Sequence, residues 1–146
     1  MSMCCARAVA TREFVAFVCS SMAPRPSQRG LEEPVPGDRI LVLTPAWMEM
    51  VLQKKKTYEV RHAKLRGGKL YLGCKGTIYA QCSLGPALLV ENLRQWKKLQ
   101  PFHKQSPRGL PYTRTFVMPI GSLHEMRTRY HHPQGAIGIV KYRGPP

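Results

Sequence analysis

"QKKKTYEVRHAKLRGGKLYLGCKGTIY", Gln53 to Tyr79, is the stretch on which the reading of this chain turns. Three lysines run into Thr57, Glu59 and Arg61. Alternate residues of a strand share a face, so those three should project together while Tyr58 and Val60 face a core. A basic Gly67-Gly68 turn then separates this strand from "KLYLGC" and "GTIYAQCSL", both rich in the aromatic and β-branched residues that suit sheets. Lys54, Lys55 and Lys56 collect where a preceding helix should end, and the helix dipole favours cations there.

Upstream, "RILVLT", Arg39 to Thr44, reads as an apolar strand. Thr44 and Pro45 together form a helix start, because Thr can cap and Pro suits the first helical position. Trp47, Met48, Val51 and Leu52 fall on one stripe of the helix that follows. Downstream, "LLVENLRQWKKLQ", Leu88 to Gln100, has helical spacing, with Leu89, Leu93, Trp96 and Leu99 on a face. "FHKQSPRGLPYT" reads as a loop. Arg114–Ile120 and Gly135–Arg143 read as late strands, with His131, His132 and Pro133 in the turn before the last one. Trp47 and Trp96 are expected in the core, whereas Tyr71, Tyr79 and Tyr112 could serve either core or surface. Short strands with two short helices make a small α+β protein, a mixed β-barrel.

The totals bound the rest. A chain of 146 residues is one domain with room for a tail. "SMAPRPSQRGLEEPVPGD", Ser21 to Asp38, is rich in Pro, Ser and Gly, so residues 1–37 are expected to form a flexible arm or a targeting extension and residues 38–146 the domain. Glu13 argues against reading Phe14–Ala23 as a secretory signal and against a mitochondrial presequence. The net charge is +15, and residues 31–146 alone keep +12, so the excess belongs to the domain. Such a surface draws polyanions. RNA is therefore the expected partner, and a membrane is not, since no long basic amphipathic helix is visible. Cysteines at 4, 5, 19, 74 and 82 contain no CxxC pair and are odd in number, which fits reduced thiols in an intracellular protein. Cys74, Cys82, His131 and His132 match no standard ligand spacing, so neither a metal nor another cofactor is expected.

Three stretches resemble an ASCH domain of the PUA-like superfamily: "LVLTPAWMEMVLQKKKTYEVR", "RGGKLYLGCKGTIYAQCSL" and "YHHPQGAIGIVKY", together spanning residues 39–143. The resemblance implies a small barrel with a cleft beside its first helix that receives RNA or a modified nucleoside. Lys56, Thr57, Glu59 and Arg61 would line it, with Lys54, Lys55, Lys69 and Lys75 contacting phosphates at its rim. Some bacterial relatives are amidohydrolases acting on N4-acetylcytidine through a Lys, a Thr and a Glu. Lys56 matches the first, but Glu59 stands at the second position and Tyr79 lies near the third. If the protein is an enzyme, Lys56, Thr57 and Glu59 are its candidates. Binding is favoured over catalysis because the acid–base pair is incomplete. A third reading is a protein-interaction module in a larger assembly, using the basic face on an acidic partner.

Overall fold

The computed structural model describes residues 33–135 and 138–146. Residues 1–32, most of the expected arm, lie outside the described residues. Val35 N–H bonds to Asp38 Oδ2, and Gly37 N–H to the Tyr142 carbonyl, at 2.9 and 2.8 Å, so the segment just before Asp38 is tied to the C-terminal end.

Among the described residues the order is β1 (Arg39–Val42), α1 (Pro45–Leu52), β2 (Tyr58–Arg61), β3 (Gly68–Cys74), β4 (Thr77–Leu84), β5 (Leu88–Val90), α2 (Leu93–His103), β6 (Thr115–His131) and β7 (Gly138–Lys141). The strands form one mixed sheet in the order β2-β6-β4-β3-β1-β7, with β5 also on β6. Among the described strands only β1 and β3 run parallel, Leu41 opposite Leu72, with α1 and β2 in the connection between them. The sheet curls strongly, so that one side chain can reach from one end toward the other. Arg61 on β2 brings Nη2 to 3.5 Å from the Val42 carbonyl, and a Cβ on Gly138 of β7 would lie 3.8 Å from Arg61 Nη1. This is a small α+β, PUA-like barrel.

The alternating apolar pattern explains the layers. Leu41, Leu70, Leu72, Cys82, Leu84 and Met118 fill the interior against Met48 and Val51 of α1. Ile40, Tyr71 and Ile78 face the other way, against Met126 and Tyr142. Ile78 and Ala80 have the same parity yet face opposite layers, because the register slips on both sides of them: between Leu72 and Gly73 on β3, and between Ile78 and Ala80 against β6. A third cluster, Val60, Val90, Trp96 and Val117, sits beneath α2.

Several expectations are refined. Leu88–Val90 is a strand, not helix; the helix begins only after Asn92, whose side chain accepts Gln95 N–H at 2.8 Å, and it runs on to His103. Phe102 and His103 therefore belong to α2, not to the loop. Thr44 makes no side-chain cap bond, so Pro45 alone marks the start of α1. The three lysines follow α1 rather than closing it: Lys54 takes a left-handed φ of 60°, and the N–H groups of Lys55 and Lys56 both reach the Met50 carbonyl. The late strand at Arg114–Ile120 is the first part of the 17-residue β6. Its mostly exposed second half, with two register slips, carries no clean two-residue period.

Candidate functional site

Where α1 ends, the chain turns through Lys54, Lys55 and Lys56 into β2. α2 and β6 hold this turn in place. Thr57 N–H donates to the Phe102 carbonyl at 2.9 Å, and Ile120 N–H to the Thr57 carbonyl at 2.8 Å. A hollow of about 210 Å³ opens there, lined by Lys54, Lys56, Thr57 and Ser122 over an apolar floor of Val51, Ile120 and Leu123. Two of its lining residues, Lys54 and Ser122, hold left-handed φ values of 60° and 49°. Non-glycine residues in that region store backbone strain and cluster at ligand sites.

Lys56 is the unusual member. It is 2% exposed, with Nζ donating to the His103 carbonyl at 3.0 Å and lying 4.8 Å from the centre of the Trp47 ring. Burial pulls its pKa below the ordinary lysine value; the Glu59 carboxylate opposes this, and Arg61 adds to it. His103 is buried flat on Trp96, ring centres 3.6 Å apart. Its Nδ1 accepts Gln105 N–H at 2.9 Å, which leaves the proton on Nε2 to donate to the Trp96 carbonyl at 3.1 Å. Burial lowers the His103 pKa, and Lys56 lowers it further. The imidazole is thus a neutral strut that aims the His103 carbonyl at Lys56.

Glu59 and Arg61 lie to one side, farther along β2. Glu59 faces the interior opposite Met118, accepts Arg61 Nε–H on Oε1 at 2.8 Å, and is 5% exposed with Oε2 buried and unbonded. Burial pushes the Cys82 thiol up to about 12, with the Glu59 carboxylate adding to the effect, so Cys82 stays protonated and unreactive. Tyr58 and Val60 face the α2 side, as the alternation requires.

The structure thus gathers Lys54, Lys56 and Thr57 at the hollow and places buried Glu59, paired with half-buried Arg61, at the barrel seam outside its lining. Lys55 is exposed beside it. Lys69 and Lys75 lie at opposite ends of β3, six residues and roughly 20 Å apart, so they do not share one rim. Lys69 Nζ sits 5.6 Å from the Tyr71 ring centre. Sequence reading missed Ser122 and His103, which reach the site only through β6 and the end of α2. It also missed Arg39, which clasps the glycine turn through the carbonyls of Arg66, Gly67 and Lys69. A second hollow, about 440 Å³, lies on the other flank of α1 between the carboxylates of Glu49 and Glu125. Its acidic edges make it the poorer seat for an anion. Among the described residues no group of three His, Cys, Asp or Glu could hold a metal ion, and no helix is long and apolar enough to cross a membrane.

No protein-family model matches the chain, and no curated protein sequence matches it. The fold does match a solved structure: a mutant form of ZmASCH from Zymomonas mobilis, with a TM-score of 0.59, 11% identity, and coverage of 76% of this chain and 92% of that one. The fold is therefore ASCH-like.

Proposed function

We propose that this domain binds RNA and seats one nucleobase in the hollow beside α1. The observation that carries the reading is the composition of that hollow: two lysines and two hydroxyl residues around an apolar floor, in a chain of net charge +15. The floor suits the flat face of a base, Thr57 and Ser122 offer donors and acceptors to its edge, and Lys54, with Lys55 beside it, suits a flanking phosphate. The hydroxyl groups and size of the hollow would give selectivity, while the exposed lysines would give strength that falls with salt.

A second reading keeps Lys56 and Thr57 as chemistry. A buried lysine with a lowered pKa beside a threonine hydroxyl is the kind of pair that could attack a modified nucleoside. Against it, the Lys56 nitrogen is engaged by the His103 carbonyl, and Glu59 lies outside the hollow's lining.

Fluorescence anisotropy with a 12-nucleotide oligouridylate and titration with uridine 5′-monophosphate test the binding reading. Thr57→Phe fills the hollow and should abolish mononucleotide binding while leaving thermal unfolding near that of the unaltered protein. Unchanged binding by that variant would show that the base sits elsewhere. Release of acetate from N4-acetylcytidine, lost in Lys56→Met, would decide for the hydrolase.

A further inference from the structure

The hollow accounts for one nucleotide, but the larger share of the exposed positive charge lies elsewhere. α2, "LRQWKKLQPFH", contains no acidic residue, and its Arg94, Lys97 and Lys98 are all exposed. None of the three forms an ion pair among the described residues. Residues four apart stack along one side of a helix, so Arg94 and Lys98 form a row with an axial step of about 6 Å, and Phe102 continues it on the last turn, past Pro101. Phe102 is 44% exposed, and its ring is backed by Tyr58 at 5.2 Å in a near-parallel stack. The row ends at the hollow, since the Phe102 carbonyl holds Thr57 N–H and the His103 carbonyl holds Lys56 Nζ.

From this row we infer that the outer side of α2 is a track for single-stranded RNA leading into the hollow, with Arg94 and Lys98 on successive phosphates and Phe102 stacking the base next to the one seated. The inference rests on the base-binding reading above and extends it by about two nucleotides. Three observations favour a single strand. The step along the row is comparable to one extended nucleotide. An exposed aromatic face can stack only a base whose own neighbour has left it. A hollow for one base likewise needs that base unpaired.

The experiment uses the full chain, the 12-nucleotide oligouridylate across a salt series, a 12-base-pair RNA duplex, and uridine 5′-monophosphate. Arg94→Gln with Lys98→Gln should weaken the oligonucleotide and lower the slope of log affinity against log salt by about 1.4, the share of two single-strand phosphates. Mononucleotide affinity should not move. Phe102→Leu retains apolar packing on Tyr58 yet should cost roughly five- to a hundredfold in oligonucleotide affinity, the loss of one base stack. An unmoved affinity and slope in the double variant overturns the track while leaving the hollow intact. Duplex bound as tightly as single strand overturns the single-strand assignment. No oligonucleotide binding by the unaltered protein, even at low salt, overturns both this inference and the reading on which it rests.

Discussion

His103 holds the turn around Lys56 with an uncharged ring. Protonating it would put a second cation beside Lys56 and place a donor on Nδ1 facing the Gln105 N–H. Because its folded pKa lies below the unfolded value near 6.5, its contribution is complete above that pH and is lost as pH falls toward the folded value. Thermal unfolding followed from pH 8 downward should therefore hold steady to near neutrality and then decline. His103→Phe keeps the stack on Trp96 but removes the titration, so its decline below pH 6.5 should be shallower. Parallel curves for the two proteins would show that His103 does not drive that limb. Lysine 56 works in the same sense at alkaline pH: its lowered pKa means that stability rises as pH climbs toward the unfolded lysine value.

At the level of elements, β3 depends on the absence of a side chain at Gly73. A Cβ there would lie 2.6 Å from the His132 ring and 2.9 Å from Ile40. The ring is fixed in turn, with Nε2 accepting Gly76 N–H at 3.1 Å and Nδ1 beside the Pro133 carbonyl. Gly73→Ala should destabilise the domain by about 2 kcal/mol, as overpacking of a rigid core does. Chemical denaturation measures this directly, and Gly73→Ala with His132→Ala should recover part of the loss if the clash is the cause. Much at this scale was legible in the chain itself. Arg39–Val42 announces itself as an apolar run, Tyr58–Arg61 through alternation, and the β3–β4 hairpin through its aromatic and β-branched residues after the Gly67-Gly68 turn. Leu88–Val90 did not, because three apolar residues before a helical pattern look like its first turn until Asn92 is seen to cap. Gly121–His131 did not because most of it faces outward and the slips break its period. The same division holds in the site: Lys54, Lys56 and Thr57 are neighbours in sequence and could be grouped, whereas Ser122 and the His103 carbonyl arrive by tertiary packing alone.

At the scale of the barrel, one guanidinium reaches across the open side of the curled sheet. Arg61 leaves β2, pairs with the buried Glu59, and reaches the Val42 carbonyl on the far end of the sheet. Removing Arg61 would leave the buried Glu59 carboxylate without its one hydrogen-bonded partner, so Arg61→Ala should cost about 3 kcal/mol or more. Replacing both, Glu59→Leu with Arg61→Met, leaves no orphaned charge and should recover most of that stability. A double variant no more stable than Arg61→Ala would assign the loss to the seam contact with Val42 instead of to the stranded charge. The fold as a whole is readable from the order of its elements, but this link is not: nothing local marks Glu59 as interior, and strand alternation groups it with Thr57 and Arg61 in the lining of the cleft.

The union of β1 with β7 has an engineering consequence. Asp38 and Tyr142 are joined by a main-chain bond of 2.8 Å, so both ends of the domain leave from the same spot. A short splice between them would make a circular chain with little distortion, and the chain could then be reopened at the exposed loop after α2. The domain has the geometry of a cassette that can be inserted into a surface loop of another protein without prising its host apart.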